Sequence, residues 1–143
     1  MTCVIIDDEA KSRETIVNIL TKYCPDVDII GQAQNVEEGY TAITTLRPEF
    51  IFLDIQMPGG SGLNLLSFFK DAEFKVIFTT AYKDYAIDAI KMNAVDYLLK
   101  PIAINEVIDA VDKIKRLLAK KSLSTGPVTR FLPLKSKTNI VLI

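Results

Sequence analysis

The 143-residue chain contains no histidine. Histidine-based catalysis is therefore excluded, and carboxylate oxygens are left as the natural ligands for any metal ion. Cysteine is nearly as scarce. Cys3 and Cys24 offer neither a metal-binding spacing nor a disulfide framework, and they read as small buried apolar residues in a reducing cytoplasm. No apolar run approaches the roughly 20 residues that a membrane span needs, and the N-terminus shows no secretory signal pattern. A formal charge of −1 provides no bulk attraction to nucleic acid or to an anionic membrane. Apolar residues, by contrast, make up 49% of the chain, enough for the core of one ordinary domain with some chain to spare.

The most informative stretch runs Phe50-Ile51-Phe52-Leu53-Asp54-Ile55-Gln56-Met57-Pro58-Gly59-Gly60-Ser61-Gly62. Four apolar residues without alternation predict a strand buried on both faces, as in parallel sheets. The strand ends in Asp54. Pro58, Gly59 and Gly60 then force a turn, and a helix begins near Ser61, whose hydroxyl suits an N-cap. In open parallel sheets the ligand crevice lies beyond the carboxyl ends of the strands, which places Asp54 at its lip.

The rest of the chain repeats this strand-to-helix alternation. Thr2 to Ile6 reads as a strand ending in Asp7-Asp8-Glu9, followed by a helix from Ala10 to Tyr23. Val27 to Ala33 is a second strand, and about Val36 to Leu46 a second helix with Val36, Tyr40 and Ile43 as its inner stripe. Gly39 inside that helix costs roughly 1 kcal/mol relative to alanine, so it is expected to be the least robust. The helix after the Gly59-Gly60 turn closes near Asp71. Lys75 to Thr79, followed by Thr80-Ala81, is the fourth strand, and a fourth helix spans about Lys83 to Met92 with Asn93 at its C-terminus. Asp96 to Leu99 is the fifth strand, ending in Lys100-Pro101. The longest helix follows, with Ile104, Val107, Ile108, Val111, Ile114 and Leu118 on one stripe. Five such alternations imply right-handed crossovers and an α/β fold, a doubly wound parallel sheet covered by helices on both faces.

The strand ends therefore bring Asp7, Asp8, Asp54, Thr80 and Lys100 to one edge. Each has a bland explanation alone: acids favour a helix N-terminus, for example. Together, three carboxylates converging from two strands repel one another unless a cation joins them, which is a metal-site signal.

These residues, with Met57-Pro58, Gly62, Ala81, Tyr97 and Pro101, resemble the full signature of a response-regulator receiver domain over about residues 1–121. The resemblance implies a flavodoxin-like five-stranded sheet of order 2-1-3-4-5 with five helices. It implies that Asp54 accepts a phosphoryl group from a phosphohistidine on a sensor histidine kinase, with Mg²⁺ held by Asp8 and Asp54, by Asp7 through water and by the backbone carbonyl of Gln56. Thr80 and Lys100 would bind phosphoryl oxygens, and Tyr97 would be an aromatic switch that follows Thr80. The expected output face is the fourth helix, fifth strand and fifth helix, where a homodimer could form. Such a protein is cytoplasmic and is no enzyme beyond catalysing its own phosphorylation and dephosphorylation. Two departures stand out. Asn93 replaces the glycine usual before the fifth strand, and Gln56 occupies a variable position, which leaves the dephosphorylation rate open.

Phe78-Thr79-Thr80-Ala81-Tyr82 with Tyr85-Ala86 further resembles regulators that carry a LytTR DNA-binding domain. Residues 122–130 read as a linker, and Phe131 to Lys135 and Asn139 to Ile143 as two short strands, similar to the opening of a LytTR domain cut short. DNA binding would then belong to the full-length output domain, since a hairpin lacks the roughly 1,000–2,500 Å² that specific recognition buries. Two other classes fit less well. A haloacid-dehalogenase-like phosphatase wants an aspartate where Gln56 stands, and a flavodoxin-like cofactor binder wants a Gly/Ser/Thr-rich loop where Asp7-Asp8-Glu9 stands.

Overall fold

The computed structural model describes the backbone of residues 1–124 and the side chains of residues 1–120; most of the expected linker and both C-terminal strands lie outside that range. Five parallel strands form the sheet: β1 (Thr2–Ile6), β2 (Asp28–Ala33), β3 (Phe50–Asp54), β4 (Lys75–Thr80) and β5 (Asp96–Leu99). Their order is β2-β1-β3-β4-β5, as expected for the doubly wound arrangement. Asp54 is in register with Thr79, and Thr80 with Leu99, so the functional strand ends fall on one edge.

The helices are α1 (Ala10–Tyr23), α2 (Val36–Leu46), α3 (Gly62–Ser67), α4 (Ala86–Lys91) and α5 (Ile104–Ser124). Residues 1–111 make one compact unit that holds the sheet and the candidate site; the second unit begins within α5. Along the strands, Val4, Ile6, Ile51, Leu53 and Phe78 share a buried cluster with Ile43 of α2, Leu65 and Leu66 of α3 and Ala89 of α4. The alternating residues Cys3, Ile5, Phe50, Phe52 and Ile77 are equally buried and point to the other face. Burial on both sides explains why these strands show no polar alternation. Both cysteines are free and buried.

Several elements differ from the expectation. In α2 the inward position is Gly39, where a Cβ would meet Leu65 Cδ2 at 2.9 Å and Ile6 at 3.3 Å. The glycine lets α2 sit close to β1 and α3, which gives this position a packing reason. Tyr40 is accordingly not an inner residue. It is 44% exposed and packs its ring against Phe68 and Phe69 at centroid distances of 5.8 and 5.4 Å. Helix α3 ends at Ser67 rather than near Asp71, and the expected fourth helix is a 3₁₀ turn over Lys83–Tyr85 followed by the short α4. Helix α5 runs to Ser124, past its expected end, and Ile104, placed on its buried stripe, is exposed. Asn93 has φ 59°, the left-handed conformation expected of it.

Candidate functional site

Each candidate residue is placed by the end of a strand. Asp54 closes β3 with its side chain almost fully buried, and the turn beyond it is a tight hairpin pairing Gln56–Met57 with Gly60–Ser61. Gly59 takes φ 80° there, which an L side chain rarely adopts. Ser61 caps α3 by accepting the Asn64 N–H at 3.1 Å. Gly62 donates its N–H to the Ile55 carbonyl at 2.7 Å, and a Cβ on it would lie 2.5 Å from the Asp54 carbonyl oxygen. Only glycine allows the helix to start this close to the aspartate.

From β1, Asp7 is buried and Asp8 partly so. Asp7, Asp8 and Asp54 each offer one carboxylate oxygen within 4.8 Å of the others, the group among the described residues placed to hold a metal ion. Lys100, at the end of β5, reaches in from the far side. Its Nζ lies 3.0 Å from Asp7 Oδ2, 2.9 Å from Glu9 Oε1 and 3.3 Å from Asp54 Oδ2. Two buried carboxylates, Asp7 and Asp54, thus share this ammonium with the exposed Glu9.

The electrostatic consequence falls on Asp54. Burial and then the neighbouring Asp7 charge push its carboxyl up to about 7, with Lys100 pulling the other way. Lys100 loses ground to burial, but its bond to Glu9 and its pairs with Asp7 and Asp54 outweigh that and raise it above the usual lysine range. The hydrogen bond from Lys100 holds Glu9 below the usual carboxylate range. Asp7 Oδ1 accepts the Glu9 N–H at 2.9 Å, whereas its buried Oδ2 has no hydrogen-bonding partner in good geometry beyond the Lys100 charge. A carboxylate set short of positive charge, with an orphaned buried oxygen, fits a hard divalent cation with oxygen preference.

On the other flank, Thr80 is fully buried and its hydroxyl accepts the Tyr82 N–H at 3.2 Å. Tyr97 donates its hydroxyl to the Tyr82 carbonyl. One residue, Tyr82, therefore links the two proposed switch side chains. Gln56 spans the mouth as well: its N–H approaches Asp54 Oδ1 at 3.3 Å and its amide Nε2 donates to the Tyr85 hydroxyl at 2.6 Å. The roles of Glu9, Tyr82 and Tyr85 were not assigned from sequence. Glu9 was visible in the acidic run, but its partner is distant in the chain (Lys100), and the two tyrosines appeared only as family texture.

Residues 3–112 match the family described as the response regulator receiver domain. An uncharacterized response regulatory protein of Vibrio cholerae is 38% identical over all of this chain and 61% of its own length. The transcriptional regulatory protein BtsR of Escherichia coli (strain K12) is 34% identical over 98% of this chain and 60% of its own. The chain thus spans about 60% of the length of these relatives. Among solved structures, the REC domain of AraT, a response regulator from Geobacillus stearothermophilus, superposes with a TM-score of 0.77 at 29% identity, covering 85% of this chain and 97% of that one.

Proposed function

The chain belongs to the response regulator receiver domain family, and from that premise we propose that it takes a phosphoryl group from a sensor histidine kinase onto Asp54 and relays the change through the β4–α4 segment to a DNA-binding output domain. The observation that carries this reading is the placement of Asp54, buried beside Asp7, Asp8 and Lys100 with Thr80 at the neighbouring strand end. An Asp54 carboxylate oxygen attacks phosphorus, the bond from phosphorus to the kinase imidazole breaks, and the departing nitrogen keeps the electron pair and takes up a proton. The product is an acyl phosphate on Asp54.

Mg²⁺, held by Asp8 and Asp54, by Asp7 through water and by the Gln56 carbonyl, would neutralise charge during the transfer. The residues do the remainder. Burial and the Asp7 charge disfavour the charged form of Asp54 until a cation favours it. Lys100 holds a phosphoryl oxygen as a point charge, and the Thr80 O–H donates to another. Two charge-assisted bonds at about 1.5–3 kcal/mol each approach the roughly 5.5 kcal/mol needed to move a population from 1:99 to 99:1. As Thr80 turns towards the phosphoryl group, its hold on Tyr82 is lost, and Tyr97, bonded to the Tyr82 carbonyl, moves with it.

The finer features follow the same reading. The LytTR-type output rests on the Tyr82-Tyr85-Ala86 texture and on relatives named as transcriptional regulators. The face of α4, β5 and α5 is the output surface and a site for self-association, supported by Ile87 and Ile90, which are 67% and 76% exposed. Receiver 1–121, linker 122–130 and the start of an output domain at 131–143 remain our division of the chain. No described helix is long and apolar enough to cross a membrane, and we place the protein in the cytoplasm with its kinase. The receiver turns over no external substrate beyond its phosphodonor.

The test is intact-mass analysis after incubation with acetyl phosphate and Mg²⁺. Wild type should gain one phosphoryl group and Asp54→Asn none; equal labelling of the mutant overturns the assignment.

A further inference from the structure

Lys100 has three N–H donors, and three carboxylates lie around it: Glu9 Oε1 at 2.9 Å, Asp7 Oδ2 at 3.0 Å and Asp54 Oδ2 at 3.3 Å. Two of those donors make hydrogen bonds, to Glu9 and Asp54, and Asp7 holds the ammonium as an ion pair. To serve a phosphoryl oxygen standing beyond Asp54, the ammonium has to turn and give up a partner. Asp7 is 1% exposed, and releasing it would strand a buried charge. The side chain of Glu9 is 59% exposed, so water can replace the ammonium there at little cost.

Glu9 is also held in place. Its Oε1 accepts the Ser12 hydroxyl at 3.1 Å, its N–H donates to Asp7 Oδ1 at 2.9 Å, and its carbonyl accepts the Arg13 N–H at 3.1 Å. The N-cap residue of α1 thus presents a fixed, solvated carboxylate to Lys100. Resting on the reading of Asp54 as phosphoacceptor, we propose that Glu9 is a positioning residue of the phosphoryl-transfer site. It parks Lys100 at the mouth of the resting site and yields it when the phosphoryl group arrives. The pairing sets how readily the site accepts a phosphoryl group, because Lys100 must leave Glu9 and the Glu9 charge repels an incoming anion.

The experiment compares wild type, Glu9→Gln, Ser12→Ala and Asp54→Asn by fluorine NMR of bound beryllium fluoride, a tetrahedral phosphoryl mimic. Saturating Mg²⁺ removes the opposing effect of Glu9 on cation binding. Glu9→Gln keeps the shape and loses the charge, and should tighten beryllium fluoride by about two- to fivefold, the range expected for one partly exposed ion pair. Ser12→Ala keeps the charge, loosens its seat, and should shift affinity the same way by less. The Glu9→Gln gain should shrink in about 1 M salt, where the screening length falls to roughly 3 Å; a merely structural role would not respond to salt. Unchanged or weaker binding by Glu9→Gln, or a gain undiminished by salt, overturns the proposal. Failure of wild type to bind beryllium fluoride at all, or equal binding by Asp54→Asn, overturns the underlying phosphoacceptor reading instead.

Discussion

The site has two walls of different build. On the β1 side stands α1, fourteen residues long, with Ile16, Ile19 and Leu20 buried and Asp7 fixed at its entry. On the β4 side stands α4, six residues long after a single 3₁₀ turn, with Ala89 as its one buried residue. Its Ile87 and Ile90 face solvent. The first wall carries the carboxylates suited to a metal, which need fixed geometry. The second carries Thr80, Tyr82, Tyr85 and Tyr97, joined to one another and to Gln56 by a few hydrogen bonds. Few buried apolar contacts mean a low cost of local rearrangement. On the proposed reading, the metal-binding carboxylates belong to the well-packed wall and the response to the lightly held one.

The largest effect expected from this division is on the metal. Asp8→Ala should weaken Mg²⁺ binding on the order of 100-fold or more, the cost of removing one charged partner from a desolvated set, and Asp7→Ala should weaken it less. Calorimetric Mg²⁺ titration decides, and undiminished affinity in Asp8→Ala would break the assignment of the metal to this wall.

Next comes the pH dependence of stability without Mg²⁺. The Asp54 carboxyl is raised to about 7, so its charged form is disfavoured in the folded chain. The folded state then holds a proton that the unfolded state releases near pH 4, and stability falls as pH rises from about 4 to about 7. Asp54→Asn removes that penalty. At pH 8 it should be the more stable protein by roughly 1–3 kcal/mol, with the gap closing towards pH 4. Urea unfolding at several pH values measures this, and a gap independent of pH contradicts it.

The smallest effect is on the lightly held wall. Tyr85→Phe deletes the acceptor of the Gln56 amide and should cost no more than about 1 kcal/mol, the net worth of one exposed hydrogen bond. It should leave labelling of Asp54 intact while speeding exchange of the α4 amides. Loss of labelling would show that Tyr85 belongs to the chemistry.

Much of this was legible in the sequence because strand ends are local signals. Uninterrupted apolar runs stop at Asp7, Asp54, Thr80 and Lys100, and the doubly wound topology brings such ends to one edge. Contacts between residues far apart in the chain were not legible. Gly39 read as a flaw because its reason is the approach of Leu65 and Ile6. Tyr40 fitted the helical stripe, yet the glycine took the inner place and left the ring to Phe68 and Phe69. The Glu9–Lys100 pair joins residues 91 positions apart, and nothing in either neighbourhood announces the other. The length of α4 was overestimated because Lys83–Tyr85 satisfies a helical pattern while adopting the tighter 3₁₀ turn.

The central claim, that an event at Asp54 is read on the α4 wall, is tested most directly by amide hydrogen exchange with and without beryllium fluoride and Mg²⁺. The account predicts the largest changes between residues 80 and 105, with α1 and α2 little altered away from the acidic residues. A response confined to α2, with residues 80–105 unmoved, would contradict it.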